Sequence, residues 1–521
     1  MKSRRVLQVD TRAAGEHSAA YGFLARVRSL HSHWVLGGMI IAYTLFLTFG
    51  ASFKYAYWGM GYDQIDYQQA IWNTTQGRFL NISHYAWTDS FLGLDFAPGL
   101  LFAVPFYMLW PSAYMLNLLQ SALLALGALP VYLIARDRWA NERAGLAWAA
   151  TYLLYPSLQF VNMTPPWQPR TLAVLMLLWA FSFFQRQRLW PFLLAMLVAI
   201  TTRTDVSLVV CAFGLYALLV RRTWQWAALP LVLGLSWFYL STSILTPAFY
   251  LPEFTASAES GSFDPDADYA DSWPGTSPQV GYYAHLGKNP VDIIKNIVTH
   301  PVEVAQLVFT REKLTYLFLM FGALLFLPLL APKELILTAP IFAINLLSTR
   351  VFQYKISEQY QALIIPGIVI AGIYGSARLH AWLSQRLPGA RPHLAGMLLA
   401  QVLLIGSINL GLRNPVISTL RHHEDPARIA VMERMAAQIP DDAAVAATSF
   451  LAPHLLPRQH LYYVPPGPMF PPLEAAEFVF IDTRAAALRG TGLVERLRSD
   501  PAWDIVDEEA DLILFRQRHK R

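Results

Sequence analysis

The sequence contains very little cysteine and little charge. Cys211 is the only cysteine among 521 residues, which excludes intrachain disulfides. Charged residues make up 14% of the chain, against roughly a quarter in typical soluble domains. The sequence also lacks a nucleophile elbow, a phosphate-binding glycine-rich loop and a dinucleotide fingerprint. These absences argue against a soluble enzyme and against the use of nucleotide sugars inside the cell.

Long apolar runs dominate instead, since 55% of the residues are hydrophobic and 13% are aromatic. A membrane span needs roughly twenty apolar residues, or somewhat fewer where neighbouring helices shield its ends. The runs predict an all-α polytopic membrane protein with about eleven transmembrane helices. They cover residues 34–51, 113–135, 144–161, 171–184, 190–202, 206–220, 225–245, 314–331, 334–348, 359–377 and 394–412.

The segment Phe96–Trp110 is apolar too, but it is short and contains Pro98 and Pro105. We interpret it as an interfacial helix rather than a span. With this choice the short basic turns, such as those at Arg136–Arg143 and Arg221-Arg222, all fall on one side, as the positive-inside rule requires. The prediction is a multi-pass protein of the plasma (inner) membrane, with a cytoplasmic N-terminus and an extracytoplasmic C-terminus.

The predicted domains follow from this topology. Residues 1–33 form a cytoplasmic tail, and residues 34–413 form the transmembrane domain, with extracytoplasmic loops at 52–112 and 246–312. Residues 414–521 change character, because short strand-like runs at 443–448, 462–464, 478–481, 503–506 and 512–515 alternate with helical spacing at 426–438 and 484–498. We therefore expect a small extracytoplasmic α/β domain that ends in a hairpin, with its turn at residues 507–510.

The first external loop contains two acids, Asp63 and Asp66, three residues apart. On a helix this spacing places both carboxylates on one face, where they can take a proton from an acceptor hydroxyl. The alternative is a helix N-terminus at which acids are favoured by the dipole. No cofactor is required by this pattern and no metal ligands are assigned, although a divalent cation between the two acids stays open.

Several segments across the chain resemble a family of bacterial and archaeal membrane proteins that is catalogued as a domain of unknown function and grouped with the glycosyltransferase-C superfamily. The matching segments are Tyr62-Asp63, Gln69-Ala70-Ile71-Trp72-Asn73, Phe96-Ala97-Pro98, Leu129-Pro130-Val131-Tyr132, Tyr152-Leu153-Leu154-Tyr155-Pro156, Tyr283-Ala284-His285, Gln359-Tyr360 and Pro453-His454. Each is short, but their order along nearly the whole chain is specific.

This resemblance implies a fold and a reaction. Superfamily members transfer sugars from polyprenyl-phosphate donors at the outer membrane face, and their first external loop carries an acid and continues into an interfacial helix. Asp63 matches that acid, the candidate base. Asp95, Gln69 and Trp72 are expected to line the substrate site. The chain departs from the family pattern at Gln68, Asp95 and Trp167-Gln168-Pro169, which argues against a metal site and for a divergent substrate.

A polyprenyl-phosphate donor needs cations at the outer interface. Arginine suits this role because its planar guanidinium binds phosphate oxygens in a bidentate way. Arg170 and Arg203 are the candidates, with Lys355 behind them. Snorkelling at a helix end is the alternative for each cation taken alone. Snorkelling explains Arg203 less well, because Asp205 lies two residues after it and ionisable residues near membrane depth usually face a partner or a cavity. Asp205 is expected to line the site as well.

Glu358 and Tyr360 belong to a polar run that enters the tenth predicted span. They are expected to line the site, although capping of the following helix explains Glu358 equally well. The leading hypothesis is a transferase that moves a sugar from a polyprenyl-phosphate carrier to a cell-envelope glycan, lipid or protein, without a nucleic-acid partner. A non-catalytic assembly factor and a lipid or solute transporter are the alternatives.

Overall fold

Helices account for most of the chain in the computed structural model, which describes residues 11–165, 167–252, 283, 285–287, 290–386, 394–411, 414–467 and 470–518. The helices are α1 Thr11–Ala56, α2 Asp63–Thr75, α3 Phe91–Leu94, α4 Val104–Leu109, α5 Ala113–Leu126, α6 Ala128–Trp139, α7 Glu142–Leu153, α8 Pro156–Met163, α9 Pro169–Gln185, α10 Leu189–Ile200, α11 Val206–Leu219, α12 Trp224–Leu240, α13 Pro290–Thr299, α14 Pro301–Val308, α15 Arg311–Gly322, α16 Pro332–Leu335, α17 Ala339–Leu347, α18 Ile365–Arg386, α19 Leu394–Gly411, α20 Pro415–Arg421, α21 Pro426–Ala436 and α22 Leu493–Ser499.

Four helical stretches within the described residues are long and apolar enough to cross a membrane. They are His31–Ala56, Ala113–Trp139, Trp224–Phe249 and Gly396–Arg421. The first three each contain a predicted span, and the fourth overlaps the predicted span at 394–412. Shorter apolar helices occur at Pro98–Leu109, Pro169–Gln185, Leu189–Ile200 and Val206–Leu219. The predicted total of about eleven spans therefore stays a prediction.

Three of the predicted spans are interrupted. The run at 144–161 divides at Leu154-Tyr155, because Pro156 cannot donate a backbone hydrogen bond and begins a new helix, α8. The run at 314–331 breaks where Leu325 and Phe326 adopt positive φ angles of 55° and 56°. The run at 334–348 divides between α16 and α17. Sequence hydropathy detects these runs but not the turns inside them.

The segment Phe96–Trp110 forms a 3₁₀ helix, Pro98–Ala103, followed directly by α4. It is too short to span a bilayer, since twelve helical residues extend about 18 Å at most in an α-helix. The Gly99 N–H donates to the Thr201 carbonyl at 2.8 Å. A Cβ at Gly99 would lie only 3.0 Å from both that carbonyl oxygen and the Thr202 Cα, so glycine permits the close approach.

The C-terminal residues form a five-stranded sheet, as the strand-like runs predict. Its strands are β1 Val445–Ala447, β2 Leu461–Tyr463, β3 Phe478–Asp482, β4 Trp503–Glu509 and β5 Leu512–Gln517, in the order β2-β1-β3-β5-β4. β1 is parallel to β2 and β3, whereas β5 is antiparallel to β3 and β4. The terminal hairpin is present, but it turns at Ala510-Asp511 instead of 507–510.

The second predicted helix of this domain is shorter than expected. Gly490 and Gly492 have positive φ angles of 76° and 59°, so the backbone turns there and α22 begins only at Leu493. The domain boundary at residue 414 stays a prediction. Helix α20 packs against α1 and places Val416 in the core of the helical bundle. Asn414 caps α20 by accepting from the Val416 and Ile417 N–H groups.

The sheet domain shares its core with the segment that follows α1. One face of the sheet packs against α21 and also buries Trp58, in the turn after α1, and Ile65 of α2. The opposite face packs against Leu493 and Leu497 of α22. Because Trp58 and Ile65 belong to the same hydrophobic cluster as β1 and β3, the sheet domain fixes the position of α2.

Candidate functional site

Helix α2 is buried on nearly every side, and each side has a different neighbour. Both acids lie in its first turn, as predicted, where negative charge interacts favourably with the helix dipole. Gln64 and Gln68 face α4, with a hydrogen bond of 2.7 Å between them and one of 3.3 Å from Gln68 to the Tyr107 hydroxyl. Asp63 and Asp66 have different partners, so the predicted pair divides into two roles.

Asp63 is the accessible acid of the site. Its side chain is exposed, and its Oδ2 accepts a hydrogen bond of 2.8 Å from the Gln359 amide. Protein nevertheless surrounds the carboxylate at longer range, so it lines a recess. This enclosure, with the charge of Asp66 added, raises the pKa of Asp63 to about 6 in spite of the hydrogen bond from Gln359. A carboxyl with such a pKa can accept a proton near neutral pH.

Arg203 lies in the turn between α10 and α11 and is held by two acids. Its Nε donates to Asp205 at 2.9 Å, and its Nη1 is 3.5 Å from Asp95. Burial alone would lower the pKa of Arg203, but the two carboxylates outweigh burial and raise it. Asp95 is itself fixed by the hydroxyl and N–H of Thr204, at 2.8 and 3.3 Å. Burial raises the pKa of Asp95.

Arg170 is the second cation and differs from Arg203 in having no acid beside it. It occupies the first turn of α9, is 4% exposed, and lies over the Tyr360 ring at 5.2 Å. Among the described residues no carboxylate lies within 4.0 Å of its guanidinium, and Nη1 has no hydrogen-bond partner. It lies close enough to Arg203 for the two charges to repel. Asp205 attracts this cation only at longer range, so a buried guanidinium without a direct ion pair is an energetically favourable place for an anion.

Two further groups lie at this recess without having been predicted. Tyr67, one turn after Asp63, interacts electrostatically with Arg170, Asp63 and Arg203. Lys54 donates to the Met163 carbonyl at 2.9 Å and interacts with Glu358 and Asp63. The spacing of Tyr67 from Asp63 could have revealed it, since residues four apart share a helix face. Lys54 lies inside an apolar helix end, where the sequence favours snorkelling.

The structure thus brings together most of the predicted site residues. Asp63, Arg170, Arg203, Asp205, Asp95 and Tyr360 interact within one recess, and Glu358 lies at its edge, close to Asp63. Three buried atoms here have no hydrogen-bond partner among the described residues: Arg170 Nη1, Asp205 Oδ1 and Gln359 Oε1. Unpartnered donors and acceptors at one place indicate a site for a polar ligand.

Asp66 has a different position from Asp63. Its Oδ1 lies 2.5 Å from His84 Nε2 and accepts from the Tyr463 hydroxyl of β2 at 2.9 Å. His84 Nδ1 faces Gln69 Oε1 at 3.1 Å, and that oxygen also accepts from the Ser83 N–H. Both ring nitrogens of His84 therefore lie within hydrogen-bond distance of a side-chain oxygen. Asp66 holds the sheet domain on α2 rather than facing the recess.

Gln69 belongs to the same contact with the sheet domain and does not line the recess. It is fully buried, and its amide nitrogen donates to the carbonyls of Arg458 and Gln459 at 3.3 and 2.9 Å. The Tyr62 hydroxyl adds contacts of 2.8 and 2.7 Å to the carbonyls of Ala447 and Val464. Tyr62, Asp66 and Gln69 lie on one face of the helix, and sequence spacing gives no sign of partners almost four hundred residues away.

Trp72 and Lys355 also lie apart from the recess. Trp72 follows Asp63 by nine residues and is on the opposite side of α2, where the Arg78 guanidinium stacks on its ring at 5.0 Å. Lys355 is exposed and lies over the Phe352 ring at 5.1 Å. We therefore do not retain Lys355 among the candidate phosphate ligands, nor Trp72 and Gln69 among the residues that line the site.

Within the described part of the chain, no group of three or more His, Cys, Asp or Glu side chains is arranged to hold a metal ion. Asp63 and Asp66 are separated by their different partners, so we do not propose a divalent cation between them.

Comparisons with known proteins agree with the membrane character of the chain. No curated protein matches it in a sequence search. A family model described as predicted membrane protein (DUF2079) matches residues 56–514, a range that includes α2, the recess and the sheet domain up to β5. The chain belongs to this family of predicted membrane proteins.

Proposed function

We propose that the protein is an integral membrane glycosyltransferase of the glycosyltransferase-C superfamily. It transfers a sugar from a polyprenyl-phosphate donor to an acceptor of the cell envelope, at the extracytoplasmic face of the plasma membrane. The observation that carries this proposal is the recess itself, in which an accessible carboxylate with a raised pKa, Asp63, lies near the guanidinium of Arg170, which is buried without a direct ion pair.

The charges of the recess suit a phosphate and a hydroxyl as the reacting groups. Arg170 and Arg203 supply guanidinium groups, which bind phosphate oxygens well, and the two cations repel each other until an anion lies between them. Asp95 and Asp205 orient Arg203. Because Asp205 Oδ1 and Gln359 Oε1 are buried without partners, they are available to accept hydrogen bonds from sugar hydroxyls.

The transfer needs only the donor, the acceptor and these side chains. The acceptor hydroxyl oxygen attacks the anomeric carbon of the sugar, and its proton moves to the Asp63 carboxylate. The new bond between carbon and acceptor oxygen forms as the bond between the anomeric carbon and the phosphate oxygen breaks. The leaving polyprenyl phosphate keeps that electron pair, and Arg170 and Arg203 stabilise its additional negative charge. General base catalysis of this kind contributes about 10²–10⁴-fold.

Sidedness supports the same proposal. The residues of the recess come from the loop after α1, the first turn of α9, the α10–α11 turn and the segment before α18. The positive-inside pattern assigns all four to the extracytoplasmic side. Nucleotide sugars are absent from that compartment, whereas lipid-linked sugars are presented there.

A non-catalytic assembly factor is the second candidate. The observation in its favour is Asp66, a predicted catalytic acid that instead forms the contact between α2 and the sheet domain. Under this alternative the recess would bind a lipid-linked phosphate without transferring a sugar.

The experiment is complementation of a deletion strain with wild-type protein, Asp63→Asn or Asp89→Asn. Asp89 is an exposed acid of the same loop and serves as the matched control. Mass spectrometry of polyprenyl-linked sugars and envelope glycans is the readout, with protein abundance checked by immunoblot. We expect the lipid-linked sugar to accumulate in the deletion strain and with Asp63→Asn but not with Asp89→Asn. A wild-type profile for Asp63→Asn at normal abundance contradicts the transferase and favours the assembly factor.

A further inference from the structure

Helices α13 and α14 carry a stripe of apolar side chains that faces away from the rest of the protein. Val291, Ile294 and Val298 are between 64% and 73% exposed, and their spacing places them on one side of α13. The stripe continues through Val302 of α14 to Phe309, which are 69% and 67% exposed. Soluble surfaces seldom expose so many large apolar groups in one line.

The other side of this helical pair is attached to the bundle. The Asn296 amide donates to the Leu286 carbonyl at 2.7 Å, and His285 Nε2 lies 3.1 Å from the Leu347 carbonyl at the end of α17. The Lys313 ammonium donates to the carbonyls of Leu307 and Leu346 at 2.9 and 2.6 Å. The orientation of the stripe is therefore fixed by contacts on both helices.

The stripe is continuous with an apolar surface on the following segment. Leu314 and Phe318 of α15 are 46% and 62% exposed, and Leu329 and Leu330, beyond the turn at Leu325-Phe326, are 51% and 45% exposed. Exposed cations, Arg311 before the band and Lys333 after it, mark its two ends. A band of exposed apolar side chains between terminal cations is typical of a lipid-facing surface. The stripe on α13 and α14 lies at the Arg311 end of this band.

A shallow, open groove lies where the stripe and the band meet. It has a volume of about 590 Å³ and is lined by Phe309, Arg311, Leu314, Thr315 and Phe318. Three of these side chains are apolar, and the Arg311 guanidinium offers hydrogen-bond donors. The Thr315 hydroxyl donates to the Arg311 carbonyl at 2.8 Å, so it is available only as an acceptor. This combination matches a glycerophospholipid, which has a phosphate next to the start of its acyl chains.

We propose that α13 and α14 lie in the boundary between headgroups and acyl chains of the leaflet at the Arg311 end, and that the groove binds a phospholipid through Arg311. Val291, Ile294, Val298, Val302 and Phe309 are immersed in the acyl region, and Lys295 extends toward the headgroups. This lipid-binding surface does not depend on the sugar transfer, since an assembly factor would use it equally.

Depth in the membrane can be measured because Cys211 is the single cysteine. In a Cys211→Ala background of the full chain, Val298→Cys and Val302→Cys are labelled with the environment-sensitive fluorophore NBD and reconstituted into phosphatidylcholine–phosphatidylglycerol vesicles. Glu495→Cys, on the exposed surface of α22, is the aqueous control. At residues 298 and 302 we expect blue-shifted NBD emission that is quenched by lipid-attached nitroxide and protected from iodide. At residue 495 we expect emission typical of water that is quenched by iodide and not by the nitroxide.

Two results overturn this proposal. Iodide quenching at residues 298 and 302 as strong as at 495 means that the stripe is in water. Protection from both quenchers means that protein covers it, either a partner or a second copy.

The groove has its own test. Native mass spectrometry in detergent with added phosphatidylglycerol compares Arg311→Gln with Arg498→Gln, a surface arginine of the sheet domain. We expect Arg311→Gln to retain fewer lipids, and equal retention contradicts headgroup binding in the groove.

Discussion

Asp63 and Arg170 differ in what surrounds them, and the difference decides what each can do. Asp63 is exposed to the recess and has one amide donor, whereas Arg170 is buried and has no acid beside it. Arg203 is buried as well, but two carboxylates balance its charge. We therefore expect substitutions of these three residues to have distinct effects on activity and stability.

The first prediction concerns the pH dependence of transfer. Because Asp63 must be ionised to accept a proton and its pKa is about 6, the rate should fall about tenfold per pH unit below that value. Gln359 donates to the ionised carboxylate and lowers its pKa, so Gln359→Met should move the acid limb to higher pH. Transfer assays from pH 5 to 8, with Gln76→Met as control, measure both effects. Asp63 would be excluded as the base if the transfer rate did not change with pH, or if Gln359→Met lost activity at the same pH as the wild type.

The raised pKa of Asp63 also determines how the stability of the protein changes with pH. The folded state retains the Asp63 proton in a range, from about pH 4 to 6, where the unfolded chain has already released it. The contribution of Asp63 to stability therefore decreases as the pH rises through this range.

The second prediction compares the two arginines. Arg170 is buried, is repelled by Arg203 and has no direct ion pair, and these costs outweigh the longer-range attraction of Asp205. Arg170→Met should therefore abolish transfer while leaving the melting temperature equal or higher. Arg203→Met should instead destabilise the protein, by about 3–5 kcal/mol, because it leaves Asp95 and Asp205 without their cation. Thermal unfolding in detergent and transfer assays give the two readouts. A large loss of stability in Arg170→Met would mean that this arginine is structural.

At the scale of elements, α2 is the part that positions the chemistry. One side contacts the sheet domain through Tyr62, Asp66 and Gln69, and another contacts α4 through Gln68. These contacts leave Asp63 directed at Gln359 and the recess. The sheet domain thereby acts on the site through α2, with no predicted site residue of its own.

The third prediction separates Asp66 from catalysis. Asp66→Asn weakens the contacts with His84 and Tyr463 and should lower the free energy of unfolding by about 1–3 kcal/mol. The charge of Asp66 raises the pKa of Asp63, so its removal should move the acid limb of transfer to lower pH while transfer persists. Chemical denaturation and the pH profile measure the two effects. Complete loss of transfer in a folded Asp66→Asn protein would mean that Asp66 takes part in catalysis.

The sequence predicts features of the fold and the site well where the interacting residues are close together along the chain, and poorly where they are far apart. Local patterns predict the helix that begins at Asp63, the short segment Phe96–Trp110 and the five strands of the terminal sheet, because spacing and turn residues determine them. One partner of Asp66, Tyr463, is 397 positions away, and no local pattern contains that information. Burial in the fold, rather than residue type, also distinguishes Arg170 from Lys355.

At the scale of the whole molecule, the sheet domain and the first span meet in an aromatic stack. The His454 ring lies parallel to the rings of Tyr55 and Trp58, with centroid distances of 4.4 and 3.9 Å. Burial lowers the pKa of His454 to about 4, so the stacked ring is neutral at physiological pH. The domain interface thus contains a histidine that resists protonation.

The fourth prediction follows from this interface. A histidine with a lowered folded-state pKa destabilises the fold as the pH falls from its unfolded value, about 6.5, toward 4, because only the unfolded chain takes up the proton. His454→Phe keeps the aromatic stack but removes the group that takes up a proton. Its melting temperature should therefore rise relative to that of the wild type as the pH decreases through this range. Melting curves of both proteins from pH 7 to 4 test it. A constant difference between them would mean that His454 is protonated equally in both states.

The central claim is that distant segments of the chain form one phosphate-binding recess around Arg170 and Arg203. The direct measurement is binding of a fluorescent short-chain polyprenyl phosphate to the full-length protein in nanodiscs, with the uncharged polyprenol as reference. Arg143→Met, an exposed arginine of α7, is the matched control. We predict wild-type affinity for Arg143→Met and, for Arg170→Met, an affinity for the phosphate that is weaker by about tenfold or more, as expected when a charged hydrogen bond is lost. Binding of polyprenol should be the same in all three proteins, and wild-type affinity for the phosphate in Arg170→Met would contradict the account.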